Sequence, residues 1–333
     1  MIGAKVSLKS PSVRLVVGVG VLLAAACNSP QAPTSPSVSP PGAQTNLPPT
    51  PPPDSQPPPP QVPPPNQPPF VPTGQTARVT VVGDIGMCTE RSVVERTAQL
   101  VERMPGLLLL AGDLAYMQGT LQNFRDCFDP AWGRFRDRWH PVPGNHEYET
   151  ASASGYRQYF GDAAGSSGRT YYAFRAGDWL VLMIDSTETS RAGTPQYEFV
   201  RAALAGSRAP CALAVWHHPL FTSGPNGPQT FMRDIYRLLY EQNADVVVAG
   251  HDHLYERFGK QDVDGRSDPR GLRQFIAGTG GARLYDFQRQ EANSQSRIKA
   301  NGVLHMVLLP NGYQWTFVDT AGTVLDSGAD GCH

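Results

Sequence analysis

Five short motifs place metal-competent side chains at intervals along this chain: Gly83-Asp84, Gly112-Asp113 with Tyr116 three residues on, Gly144-Asn145-His146-Glu147, Trp216-His217-His218-Pro219 and Gly250-His251-Asp252-His253. Carboxylates combined with imidazoles suit hard-to-borderline ions such as Fe, Mn and Zn. Each piece alone has an ordinary explanation. A Gly-Asp after a strand is usually a turn or helix cap, an Asn-His pair a turn, and a His-His-Pro a strand end with a satisfied imidazole. His-x-His is a moderate metal signal by itself. The inference rests on all five occurring in one order, with a glycine before the ligand in four of them, where tight turns and close backbone approach are needed.

The elements around these motifs explain how they could meet. Arg78–Asp84 and Leu107–Asp113 read as strands, as do Tyr171–Arg175, Trp179–Asp185, Ala212–His217, Asp245–Gly250 and Gln274–Gly278. Helices are predicted at Glu90–Arg103, Leu121–Arg138, Pro195–Ala205 and Gln229–Asn243, the second anchored by Phe124, Phe128, Trp132 and Phe135. Gly302–Thr320 reads as a hairpin turning at Pro310-Asn311-Gly312. Strands alternating with helices predict a layered α/β architecture with mixed strand directions. The motifs sit where strands stop, and ligands of α/β sheets bind outside the carboxyl ends of strands.

The series G-D, G-D-L-A-Y, G-N-H-E, W-H-H-P and G-H-D-H resembles the calcineurin-like metallophosphoesterase family. Tyr116 and the run His251-Asp252-His253-Leu254-Tyr255-Glu256-Arg257 resemble its purple acid phosphatase branch. The match covers Val82 to Arg257, and Gly278-Thr279-Gly280-Gly281 is similar to a further strand end of that family. The resemblance implies an α/β fold, a layered α-β-β-α sandwich of two mixed sheets flanked by helices. It implies a dinuclear-metal hydrolase cleaving phosphate monoesters by in-line attack of a metal-bridging hydroxide. Asp84, Tyr116 and His253 would hold the first metal, iron; Asn145, His217 and His251 the second, Zn, Mn or Fe; Asp113 would bridge them. His146 would contact phosphoryl oxygens or protonate the leaving group. Two such ions lower the pKa of a bridging water and stabilise both attacking and leaving oxygens. One departure concerns Phe221–Gln229, which lacks the further histidines that plant-type members carry after the position of His217. A phosphodiesterase or nucleotidase on the same core is the second reading, and a tethered binding module the non-enzymatic one. His218 reads as packing beneath Pro219 in preference to contacting substrate. Asp252 reads as shaping its loop, and His140 and His305 as core or surface residues.

The rest of the chain bounds location and partners. Residues 1–27 read as a lipoprotein-type signal: Lys5, Lys9 and Arg14, an apolar run Leu15–Ala26, then Cys27 after three alanines. Lipidation of Cys27 would anchor the protein to a membrane of the bacterial envelope; the alternative is an ordinary secretory signal cut near Cys27. Twenty of the 32 prolines fall between Pro30 and Pro72, so residues 28–75 read as a Pro-rich disordered tether, leaving 76–333 as the catalytic domain. Fully extended, such a tether reaches ~150 Å at ~3.1 Å per residue. Lys and Arg number 28 against 29 Asp and Glu, so no charge bias favours nucleic acid, and Arg266, Arg270 and Arg273 read as solvated loop charges. The expected partners are small-molecule phosphate esters and the membrane, with no protein partner. Cys88, Cys127, Cys211 and Cys332 permit three pairings; the expected ones are Cys88–Cys127, both just past ligand-bearing strands, and Cys211–Cys332.

Overall fold

The computed structural model describes residues 73–165 and 168–333. The expected signal and all but the last three residues of the expected tether lie outside the described residues. Thirteen strands follow in chain order: β1 (Ala77–Val82), β2 (Leu107–Ala111), β3 (Trp139–Val142), β4 (Tyr172–Ala176), β5 (Trp179–Met183), β6 (Cys211–Val215), β7 (Val246–Ala249), β8 (Tyr255–Gln261), β9 (Leu272–Ala277), β10 (Ser294–Ile298), β11 (Gly302–Leu309), β12 (Gly312–Asp319) and β13 (Val324–Gly331). They form two mixed sheets, ordered β13-β12-β11-β1-β2-β3 and β10-β8-β9-β7-β6-β5-β4. Within them β1, β2 and β3 run parallel, as do β5, β6, β7 and β9.

Alternation along the strands builds the layers. Val79, Val81, Leu109 and Ala111 point inward to meet Met183, Leu213, Val215 and Val248 of the second sheet. Val82, Leu108 and Leu110 point outward, under the helix Arg91–Glu102 and the aromatic cluster Phe124, Phe128, Trp132, Trp139 and Phe160. On the far side, Leu182, Ala214 and Val247 are covered by residues of Pro195–Gly206 and Arg233–Glu241, including Val200, Ile235 and Leu239. This is the expected α-β-β-α sandwich.

Three expectations are corrected. Leu121–Arg138 is not one α-helix: short α turns alternate with a five-residue π segment, Phe124–Phe128, and a 3₁₀ stretch, Gly133–Arg138, that kinks at Phe135. Pro130 lacks the N–H an α-helix interior needs. Its four aromatic anchors are nonetheless buried. Arg273 is not a solvated loop charge. It lies in β9, 9% exposed, where its guanidinium donates to Asp330, Tyr313 and the Phe258 carbonyl. Strands β3, β8, β10 and β13 were not expected. Both expected disulfides are present, Cys88–Cys127 and Cys211–Cys332.

Candidate metal centre

All seven parallel strands end at one pole of the sandwich, and the motifs follow them. Asp84 lies two residues past β1, Asp113 two past β2, Asn145 three past β3, His217 two past β6, and His251 and His253 two and four past β7. Asp84 (φ 59°), Asp113 (φ 51°) and His251 (φ 71°) adopt left-handed backbone conformations, each directly after a glycine. All three glycines are needed for space; a Cβ on Gly83 would stand 2.9 Å from the Ala111 carbonyl oxygen. A Cβ on Gly112, itself at φ 81°, would stand 2.6 Å from the His217 ring, and one on Gly250 would stand 2.7 Å from Asp84 Oδ2.

Each carboxylate is held by a backbone N–H on one oxygen and faces the cluster with the other. His251 N–H donates to Asp84 Oδ2 (2.9 Å), leaving Oδ1 beside the Tyr116 hydroxyl (2.9 Å) and His253 Nε2 (3.2 Å). His146 N–H donates to Asp113 Oδ1 (3.0 Å), leaving Oδ2 beside His217 Nε2 (3.2 Å) and the Tyr116 hydroxyl (3.3 Å). The imidazoles are oriented by carbonyls that can only accept. His253 Nδ1–H donates to the Arg283 carbonyl (2.9 Å) and His217 Nδ1–H to the Ala111 carbonyl (2.9 Å). Both Nε2 lone pairs are thereby turned inward, the arrangement that presents histidine to a metal.

Counting protons tests whether this donor set fits metal ions. Asp84 Oδ1, His253 Nε2 and the Tyr116 oxygen meet within 3.2 Å of one another with one phenolic proton among them. Asp113 Oδ2 and Asn145 Oδ1 each stand 3.2 Å from His217 Nε2, with no proton to share if the imidazole is neutral. Lone pairs facing lone pairs in a buried site demand positive charge. Without metal, protons supply it. Burial opposes charging His217, yet Asp113 raises its pKa to about 10, and His253 is raised likewise by Asp84 against its burial. Tyr116 is pushed well above its ordinary value, by burial first and then by Asp84 and Asp113. The residues fit two cations, one on the Asp84–Tyr116–His253 side and one on the Asn145–His217–His251 side, with Asp113 facing both.

The other expected site residues separate by role. His146 is 22% exposed in its side chain; its Nδ1–H donates to the Met117 carbonyl and its Nε2 stands 3.8 Å from Asp113 Oδ2. His251 packs its ring 5.1 Å from that of His217. Asp252 shapes its loop as expected, accepting from the Thr222 hydroxyl (2.5 Å) and Asn226 N–H (3.2 Å). His140 stacks on Phe174, and His305 meets Thr80. The His218 ring lies 4.4 Å from that of His251 and 5.4 Å from that of Phe231. Burial, His217 and His251 push its pKa down to about 2.

Sequence reasoning gave no role to Glu147, although it stands inside the quoted G-N-H-E motif. Fully buried, its carboxylate accepts from Gly144 N–H (2.7 Å), Asp113 N–H (2.9 Å), Leu114 N–H (2.9 Å) and Ala115 N–H (3.2 Å). One side chain thus ties the loop after β2 to the loop after β3. Burial and Asp113 raise its pKa to about 7.

Comparison with known proteins places the chain in a family. The family model for calcineurin-like phosphoesterases matches residues 77–255. Among curated proteins, purple acid phosphatase 15 of Arabidopsis thaliana is 28% identical over 249 residues, covering 64% of this chain and 46% of its own. Fe(3+)-Zn(2+) purple acid phosphatase 12 of the same plant is 26% identical, covering 53% of this chain and 42% of its own. The chain spans about half the length of the curated relatives it matches. A purple acid phosphatase from yellow lupin (Lupinus luteus) seeds shares the fold with a TM-score of 0.69 at 18% identity, covering 79% of this chain and 55% of that one.

Proposed function

The chain belongs to the calcineurin-like phosphoesterase family, on its purple acid phosphatase-like side, and from that premise we propose that it is a dinuclear-metal phosphatase of broad specificity. The observation that carries the reading is the pair of inward-turned imidazoles, each facing a carboxylate oxygen with too few protons between them.

Asp84, Tyr116 and His253 would hold one ion, iron by analogy with the branch. Asn145, His217 and His251 would hold the other, Zn, Mn or Fe, with Asp113 shared. When bound, two such ions supply Lewis acidity and an activated water at neutral pH. The chain's own residues do the rest. Asp84 and Asp113, each pinned by a backbone N–H, keep their second oxygens fixed, so no reorganisation is needed as charge develops. Glu147 holds the two loops that carry Asp113 and Asn145. His146, with Nδ1 committed to Met117, presents Nε2 at the mouth, where it meets a phosphoryl oxygen or passes a proton to the leaving alcohol.

The test uses the full-length chain loaded with Fe and Zn, comparing p-nitrophenyl phosphate with bis-p-nitrophenyl phosphate. Faster monoester cleavage that disappears in Asp113→Asn supports the phosphatase. Faster diester cleavage makes the protein a phosphodiesterase, and a folded chain that takes up no metal removes the dinuclear reading. We further propose export, with a lipid on Cys27 and residues 28–75 as spacer. Mass spectrometry of the N-terminal peptide from the membrane fraction checks this, and an unmodified cysteine there makes the protein a secreted one.

A further inference from the structure

Ser186 lies three residues past β5, and its hydroxyl is fully used. The backbone N–H groups of His217 (3.2 Å) and His218 (3.0 Å) both donate to Ser186 Oγ. A hydroxyl has two lone pairs and one proton. With both lone pairs occupied, the proton has one partner left, His218 Nδ1 at 2.8 Å. The hydroxyl therefore donates and Nδ1 accepts. An imidazole accepting at Nδ1 is neutral and carries its own proton on Nε2.

The ring stands beside the centre. A His218 ring nitrogen lies within 4.8 Å of ring nitrogens of both His217 and His251. The residue is 8% exposed, and the side of its ring is closed by Phe231, set edge-on with centroids 5.4 Å apart. Among the described residues Nε2–H meets no acceptor, and it is not one of the buried polar atoms left without a partner, so it opens to solvent beside the centre. A nitrogen that keeps its proton has no lone pair for a metal, so the third imidazole of this cluster differs in kind from the other two.

We propose that His218 is a substrate-contacting residue whose Nε2–H tautomer is fixed by Ser186, and that this N–H donates to an oxygen of a phosphate or phosphate ester on the Asn145–His217–His251 side of the centre. The identity of the anion rests on the phosphoesterase reading; the donor does not. A neutral donor facing an anionic oxygen makes a charge-assisted bond. Hydrogen bonds to charged groups contribute about 1.5–3 kcal/mol, so losing this one weakens anion binding about 10-fold or more.

The probe is inorganic phosphate, titrated calorimetrically into the full-length, metal-loaded chain. His218→Phe fills the space without a donor, and His218→Gln restores one. The expected result is phosphate affinity about 10-fold lower in His218→Phe, largely restored in His218→Gln, with metal content per chain unchanged in both. Nitrogen-15 spectra of the metal-free chain are expected to show His218 protonated at Nε2, with the tautomers mixing in Ser186→Ala. Unchanged phosphate affinity in His218→Phe overturns the proposal. So does loss of a metal ion in that variant, which would make His218 a ligand, or a proton found on Nδ1. If the wild-type chain binds phosphate through His218 but hydrolyses no ester, the hydrolase reading fails and this one stands. If it binds metal but no phosphate, this one fails.

Discussion

The two poles of the sandwich handle the same problem, closing the ends of parallel strands, in opposite ways. At the carboxyl ends three ligand-type residues, Asp84, Asp113 and His251, take left-handed backbone that costs non-glycine residues roughly 1–3 kcal/mol each. The polar groups there point at one another. At the amino ends the polar groups point at the backbone. Asp178 accepts from Thr73 and Gly74 N–H, and Asp245 accepts from Ala212 and His333 N–H. Cys211 at the start of β6 is bonded to Cys332, and the Trp179 indole donates to the Leu309 carbonyl. Left-handed backbone at this pole falls on Gly177, directly before Asp178, and on Asn243, two residues before Asp245, types that visit that region readily. One pole concentrates strain and unmatched lone pairs, and at the other Asp178 and Asp245 are each matched to backbone N–H donors. Chemistry and closure have been separated along the strand axis.

Asp113→Asn is the severest test of that separation. It should abolish turnover of both aryl esters and reduce metal content, while leaving Cys211–Cys332 formed and unfolding cooperative; rates, metal analysis and denaturant melts check this together. The reverse experiment is Cys211→Ser with Cys332→Ser. Removing a crosslink that closes a 121-residue separation should cost about 2–5 kcal/mol in denaturant melts with kcat at 25 °C unchanged. A fall in kcat would mean that the poles are coupled.

Glu147→Gln sharpens the picture within the site pole. Glutamine keeps one acceptor oxygen and turns an NH2 towards two of the four N–H donors, so we expect metal affinity to fall about 10–100-fold, the range for groups that orient ligands. The pH dependence carries a sign. Glu147 has a folded pKa raised from 4.5 to about 7, so between those values the folded metal-free chain holds a proton that the unfolded chain has lost. Its contribution to stability therefore declines as pH rises through that window. Glu147→Gln should lose this slope, read as melting temperature against pH. Asp178→Asn should have the smallest effect. The bonds from Thr73 and Gly74 depress the Asp178 pKa, so their contribution is present above its ordinary 3.8 and lost as pH falls below it. Faster amide exchange at Thr73 and Gly74, with activity unchanged, is the expected outcome.

The contrast between poles also explains what could be read from sequence. Ligand types, leading glycines and the apolar strands before them are local signals, and Asp84, Asp113, Tyr116, Asn145, His146, His217, His251 and His253 all converge. Strands β10 and β13 were missed because they are edges: Ser-Gln-Ser-Arg-Ile and Val-Leu-Asp-Ser-Gly-Ala-Asp-Gly contain no buried apolar run and alternate between half-buried and exposed. β3 has four residues, one a proline, too few for periodicity to register. Ser186 was invisible for a different reason. Its role depends on two backbone N–H groups and one ring from the loop after β6, 31 and 32 residues away, and no spacing rule encodes that. Arg273 was misread because a charged residue in a central strand looks like a loop until its partners on β12 and β13 are known.

Thr73–Gln75 enter the fold against Asp178, at the amino ends of the strands, while the centre opens at the carboxyl ends. A chain gripped there is held by its back. Thr73–Gln75 therefore leave the approach to the centre clear, because they lie at the pole opposite the mouth.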